Sequence, residues 1–234
     1  MTATEPASQA PVVPSAAGGS TARRTLACLV VVAALVALDL WSKATIFAWF
    51  EDPARAGDFV RSAHGHPRYP LVGGWLAFME NLNYGAAFGQ GHQWPWVLVI
   101  GRGVAVLLLA VLVTRVPRGQ KVYLTSLVLI LSGALGNLYD NLFYTPRFPQ
   151  ADKPFGPVRD FIDVYFSVWD WHFPTFNVAD SCITVGAILL LLSGFFTRPP
   201  VAEPQAEAAP EADPALRGPA LPGKREVSSE AREG

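Results

Sequence analysis

The sequence predicts an α-helical integral membrane protein: four transmembrane helices carrying a small extracytoplasmic β-rich cradle. Three observations lead there. Four segments, at about 26–47, 94–113, 122–143 and 178–196, are apolar over the roughly 20 residues that a helix needs to cross a bilayer. Charged residues are segregated between these segments and are sparse within them. Trp49, Trp75, Trp94, Trp96, Trp169 and Trp171 gather near one set of segment ends, where amphipathic rings settle at a membrane boundary.

The chain has 234 residues and a formal net charge of -1. That balance lacks the basic footprint of a nucleic-acid binder, and no nucleic-acid partner is expected. Residues 1–22 are rich in Ala, Pro, Ser, Thr and Gly, and residues 199–234 in Pro, Ala and Glu. Neither tail can bury enough apolar surface to offset its ordering entropy, so both are expected to be disordered. The body is then residues 23–198, an ordinary size for one domain. Cys28 and Cys182 lie inside apolar segments as small hydrophobes, toward opposite membrane faces, which argues against a disulfide. Cys28 precedes its apolar run instead of following it, so it is not read as a lipid-attachment site.

The first segment follows Arg23 and Arg24, which also suits a cleaved signal peptide. No small-residue cleavage site ends its apolar core, which runs directly into DLWSK at 39–43, so a retained anchor is expected. Arg115, Arg118 and Lys121 crowd the short link between the second and third segments, and Arg198 follows the fourth. The loops at about 48–93 and 144–177 carry basic residues more thinly. Both tails are therefore expected in the cytoplasm and both long loops outside. Within those loops, 71–82 and 158–166 read as short strands at the membrane surface.

Polar groups inside membrane segments cost free energy unless paired, which marks them as functional candidates. Asp39 and Lys43 lie four residues apart, on one helical face where they can pair. Gly133, Asn137, Asp140 and Asn141 fall on one stripe of the third segment, and Asn177, Asp180 and Thr184 on one stripe of the fourth. Arg102 is the sole charged residue of the second. With alternating directions, three of these groups arrive at one level, near the outer surface. Plainer roles stand beside the functional one: Asp39, Lys43 and Asn137 suit interhelical hydrogen bonding, Ser132 and Gly136 suit close helix contact, and Asp180 suits a helix N-terminus.

Four stretches together resemble the type II, or lipoprotein, signal peptidase family: DLWSK at 39–43, NYGAAF at 83–88, GALGNLYD at 133–140, and DFID at 160–163 with FNVADS at 176–181. They occur in the family's order over about residues 25–197. The resemblance implies an aspartic endopeptidase that removes signal peptides from diacylglyceryl-modified prolipoproteins, just before the lipidated cysteine, at the outer face of the bacterial cytoplasmic (inner) membrane. By resemblance the catalytic pair is Asp160 and Asp180. Asn83, Gly133, Asn137, Asp140 and Asn177 match positions that line or support the site, and Asp39 and Lys43 match a further motif of that kind. The expected partners are prolipoproteins and membrane lipids, a monomer is expected, and two-carboxylate chemistry requires no metal and no organic cofactor.

Two carboxylates held close share a proton, one as base toward water and the other as acid toward the scissile carbonyl. If 158–166 is extended, Asp160 and Asp163 point to opposite faces, and only one can serve; the choice of Asp160 comes from the resemblance. Two features depart from the family. Asn141 stands where the family usually has Arg, and the loop at 145–157 is longer. Two readings of Arg102 stand open: that it snorkels outward, as its long side chain permits, or that it supplies the cation that Asn141 lacks. Two other functions compete: a proton-coupled transporter, which needs carboxylates near the midplane and internal repeats, and a non-catalytic assembly factor, which needs no aspartate pair.

Overall fold

The computed structural model describes residues 17–62, 65–85, 90–150 and 152–196. Residues 1–16 and Arg198–Gly234, which include the bulk of both expected tails, lie outside the described residues, as does the 86–88 part of the NYGAAF motif.

Four helices form: α1 (Ala17–Glu51), α2 (Pro95–Arg115), α3 (Lys121–Phe143) and α4 (Val178–Phe196). α1 begins upstream of the expected start at 26, so residues 17–22, read as tail, are helical. Once an apolar run is helical, each added residue gains a backbone bond without a new nucleus, which carries the helix outward. It stops before Pro53, which disfavours helical geometry at Asp52. Asp52 instead caps a short turn at Pro53–Arg55, its Oδ1 accepting from the Ala54 N–H at 3.0 Å. α1, α2 and α3 are long and apolar enough to span a membrane; the apolar stretch of α4, Val178–Gly194, is shorter.

α2 presents Val97, Ile100, Val104, Leu107, Leu108 and Val111 outward at helical spacing. Left in water, each such half-exposed side chain would forfeit on the order of 1 kcal/mol. Together they would consume much of the roughly 5–15 kcal/mol by which a domain is stable. This face belongs in lipid. α3 is the opposite case, buried along Ser126, Leu127, Leu131, Ser132, Gly133, Gly136, Asn137 and Asp140. At one end of the bundle Arg24 donates to the Val116 carbonyl at 2.8 Å, which gathers Arg24, Arg115 and Arg118 together.

α3 and α4 meet closely because the residues between them are small. A methyl group added at Gly133 would overlap the Ala179 carbonyl and stand 2.7 Å from Ile183, and one at Gly186 would stand 2.9 Å from the Ser126 carbonyl. Gly136 takes part as the sequence suggested, facing Asp39 and Ala179. Ser132 does so only by its size, since its hydroxyl bonds back to Val128 within the helix at 2.7 Å. Cys28 and Cys182 are free thiols.

Five strands make one antiparallel sheet in chain order: β1 (Val60–Arg61), β2 (Pro67–Val72), β3 (Leu76–Asn83), β4 (Val158–Phe166) and β5 (Trp171–Phe176). The stretch at 71–82, expected as one strand, is a hairpin. Gly73 and Gly74, at φ +49° and +75°, fold the chain between β2 and β3. β5 was not foreseen; it leads through Asn177 alone into α4. The sheet is tied to the end of α1 by an aromatic cluster in which Trp49 meets Tyr69 at 4.7 Å and Phe59 at 5.2 Å between ring centroids. Trp49 is thus half-buried in that cluster, while Trp75, Trp94, Trp96, Trp169 and Trp171 remain exposed.

Overpacking a tight helix crossing typically costs about 1–3 kcal/mol. Gly133→Ala is therefore expected to lower the thermal unfolding midpoint in detergent, whereas Gly194→Ala, which meets nothing within 4 Å, leaves it unchanged or slightly raised.

Candidate active site

Asn177 ends the sheet and starts α4, and it organises the site. Its Oδ1 accepts from the Asp180 N–H at 2.8 Å, while Asp180 Oδ2 accepts from the Asn177 N–H at 3.2 Å. This reciprocal cap satisfies two of the donors that a helix start leaves without partners, and it fixes Asp180 in the first turn at the positive end of the helix dipole. The other Asp180 oxygen accepts from Asn137 Nδ2 at 2.8 Å. Asp180 is half-buried.

The same Asn177 side chain reaches the second acid. Its Nδ2 donates to Asp160 Oδ1 at 2.7 Å, and Asn83 Nδ2 donates to Asp160 Oδ2 at 3.1 Å. One residue therefore touches both carboxylates, Asp160 through its amide and Asp180 through its backbone. Asp160 is 1% exposed. Burial first, and the Asp180 charge second, push its carboxyl up to about 7, against the pull of Asn83, Lys43 and Asn177.

Behind the pair lies a buried ion network. Lys43, fully buried, sits 2.7 Å from Asp39 Oδ2 and 3.2 Å from Asp140 Oδ2, and donates to Asn137 Oδ1 at 3.0 Å. Because Asn137 Oδ1 is taken by Lys43, its NH₂ must face Asp180. Asp39 Oδ1 accepts from the Ala179 N–H at 2.8 Å, satisfying another donor of α4. Arg159 completes the network: its Nη2 lies 2.6 Å from Asp140 Oδ1, and its own N–H donates to Asp140 Oδ2 at 3.0 Å. Two carboxylates are matched by two cations.

β4 alternates regularly from Asp160 to Asp163, since the extra residues at the two register shifts belong to β3 and β5. Asp160 and Asp163 accordingly face opposite sides. Asp163 is held there by Arg68 Nε at 2.7 Å and His172 Nδ1 at 2.8 Å. Asp140 is likewise committed to its two cations. Arg102 does not snorkel outward. Its Nη1 donates to Asn141 Oδ1 and its Nη2 donates to the Gly85 carbonyl at 3.2 Å.

Asp39, Lys43, Asn83, Asn137, Asp140, Asp160, Asn177 and Asp180 thus form one connected network, with Gly133 admitting the Ala179 backbone beside it. Arg159 was missed. Its signal was a charge imbalance: three carboxylates in the apolar segments, Asp39, Asp140 and Asp180, against the two cations Lys43 and Arg102. Among the described residues, no cluster of three or more His, Cys, Asp or Glu side chains suits a metal ion.

The family model described as signal peptidase (SPase) II matches residues 31–196, a span that includes every residue of this network. The chain belongs to the signal peptidase II family. As a member of it, the chain is an aspartic-type peptidase. A lipoprotein signal peptidase of Klebsiella pneumoniae subsp. pneumoniae is 37% identical over 177 residues, covering 74% of this chain and 90% of that protein. One from Salmonella schwarzengrund is 42% identical over 126 residues, covering 52% of this chain and 68% of its own. Two solved structures of a bacterial membrane enzyme, determined by the in meso method at 2.3 and 1.9 Å, share the fold at 21% identity. Their TM-scores are 0.54 and 0.53, covering 73% and 74% of this chain and 88% and 94% of theirs.

Removing one partner from a buried ion network leaves its counter-charges uncompensated, at about 3–5 kcal/mol. Lys43→Met, which leaves Asp39 and Asp140 facing each other, is expected to lose that much stability, read as reduced yield and a lowered unfolding midpoint in detergent.

Proposed function

We propose that this chain cleaves signal peptides from diacylglyceryl-modified prolipoproteins just before the lipidated cysteine, with Asp160 and Asp180 as its catalytic pair. The observation that carries the assignment is the double contact of Asn177, which holds two carboxylates of unlike environment beside one another. The peptidase domain spans 23–198 with its tails in the cytoplasm. α4 is the fourth membrane helix, about 28 Å long at 1.5 Å per residue, nearly the hydrocarbon thickness. The basic end of the bundle faces the cytoplasm, so the aspartates and the sheet lie at the extracytoplasmic face of the inner membrane.

In this reading Asp160 holds the shared proton. Asp180, accepting two N–H bonds at a helix start, acts as the base that draws a proton from water. The water oxygen attacks the scissile carbonyl carbon while Asp160 donates to the carbonyl oxygen. Collapse of the tetrahedral intermediate breaks the C–N bond: one hydroxyl returns its proton to Asp160 as the C=O reforms, and the amine leaves with the proton that Asp180 gained. The buried setting makes each of these charge movements stronger than it would be in water. The position of the acids also weighs against a transporter. They gather where helices meet a sheet, at one end of the bundle, and not at a midplane crossing.

Cleavage of a purified lipidated prolipoprotein in detergent tests the assignment. Asp160→Asn and Asp180→Asn are each expected to lower kcat by at least about a hundredfold, the low end of what a positioned acid or base contributes. Retention of wild-type cleavage by either variant would remove that residue from the mechanism. The pH dependence follows from the raised Asp160 carboxyl. The proton that protonates the carbonyl is present below that pKa and is lost as pH rises through it. kcat/KM should therefore fall on an alkaline limb near pH 7, an apparent value belonging to the coupled pair.

A further inference from the structure

We propose that Arg102 is a positioning residue for the catalytic pair, gripping with one guanidinium both backbone segments that flank Asp160. The proposal rests on the reading of Asp160 as catalytic.

The first grip runs through the turn after β3. Asn83 Oδ1 accepts from the Gly85 N–H at 2.9 Å, which closes the turn locally. Arg102 takes the other side of the same residue, the Gly85 carbonyl. Gly85 is buried, so that carbonyl needs a donor. With its oxygen engaged by Gly85, the Asn83 amide has its NH₂ aimed at Asp160 Oδ2. Moving Gly85 therefore moves the hydrogen bond on the reacting carboxyl.

The second grip runs through α3. Arg102 Nη1 donates to Asn141 Oδ1, and Asn141 Nδ2 donates to the Gly156 carbonyl at 2.8 Å. The Gly156 N–H returns to the Asn141 carbonyl at 3.0 Å. A methyl group at Gly156 would stand 2.7 Å from the Asp140 carbonyl, so the loop passes tight against α3 just before it enters β4. Four residues later comes Asp160. The chain entering β4 and the turn leaving β3 are thus tied to one side chain of α2.

A guanidinium suits this task because its fork offers separate N–H groups in fixed directions, which an ammonium does not. Both acceptors are neutral, so the charge is not consumed in a local ion pair. The other charged groups around Asp160 are Asp180 on α4, Lys43 on α1, and the Asp140–Arg159 pair between α3 and β4, and the Arg102 charge itself acts on Asp160 and Asp180.

The test compares the wild type with Arg102→Lys, Arg102→Met, the exchange Arg102→Asn with Asn141→Arg, and Asp160→Asn, all in nanodiscs, on a dipalmitoylglyceryl-modified peptide. Loss of geometry at a reacting group costs on the order of a hundredfold. Arg102→Met is expected to lower kcat by about 10- to 100-fold with KM changed less than about threefold. Arg102→Lys, which keeps the charge but not the fork, should fall clearly below the wild type, and its alkaline limb should move to higher pH. The sign follows from Asn83: its hydrogen bond favours the ionised Asp160, so loosening it raises the carboxyl further. The exchange should recover activity above Arg102→Met, because the two side chains touch. Asn83→Ala combined with Arg102→Met should cost less than the two separate losses multiplied together, since they share the Asn83–Asp160 bond while the grip on Gly156 acts apart from it.

Wild-type kcat in Arg102→Met, a change confined to KM, or additive losses with Asn83→Ala would overturn the proposal. If Arg102→Met does not accumulate as folded protein, Arg102→Lys decides by the same criteria. An active Asp160→Asn variant would instead overturn the catalytic assignment, which keeps the two failures distinct.

Discussion

The site depends on one burial that water would never require: the ammonium of Lys43, with no exposed surface, at the end of the helix bundle that meets the sheet. An ion of that size in a low-dielectric interior costs several kcal/mol unless its partners are close and themselves satisfied. Each partner Lys43 recruits brings a different element with it. Asp39 comes from the previous turn of α1 and carries the Ala179 N–H, hence the first turn of α4. Asp140 comes from α3 and carries Arg159, hence β4. Asn137 is turned so that its NH₂ faces Asp180. Such a network is a weak source of net stability but a strong source of unique geometry, because any displacement leaves a buried charge without a partner.

From that frame the two acids acquire different surroundings. Asp180 stands at a helix start with two N–H donors and partial access to solvent. Asp160 stands one residue after Arg159, inside the sheet's root, where burial and the neighbouring charge favour its protonated form. In the proposed mechanism this difference of environment separates acid from base, though the two groups are chemically identical. Asn177 is what makes the difference possible, since it is the single residue that joins the end of β5 to the start of α4 and reaches both acids from there. The close contact of α3 and α4 at Gly133 and Gly136 serves the same end, bringing Asn137 within reach of that cap.

The outward faces follow a simpler rule. α2 contributes almost no buried apolar side chain, and its one charged group in the apolar run is turned inward, toward Gly85 and Asn141. The sheet, by contrast, is anchored through rings at the end of α1 and leaves its hairpin tryptophans exposed. Lipid is the solvent for the helices, and only the inward stripes are free to carry chemistry.

The sequence by itself determined the helices, because apolar run length is a local property: both termini of α2, α3 and α4 agree within two residues, and only α1 ran further than expected, at both its start and its end. It also determined which polar residues were out of place, since a charge in an apolar run is visible without coordinates. β4 was legible from its aliphatic and aromatic content, but Gly73 and Gly74 concealed a hairpin, and β5 was missed. Tertiary structure alone decided the partners. Asp160, Asp163 and Asp140 look alike as residues; they are told apart by Asn177 with Asn83, by Arg68 with His172, and by Lys43 with Arg159, all joined across distant parts of the chain. Arg159 and the double grip of Arg102 were equally hidden, for hydrogen bonds depend on a few tenths of an ångström that only the folded chain sets.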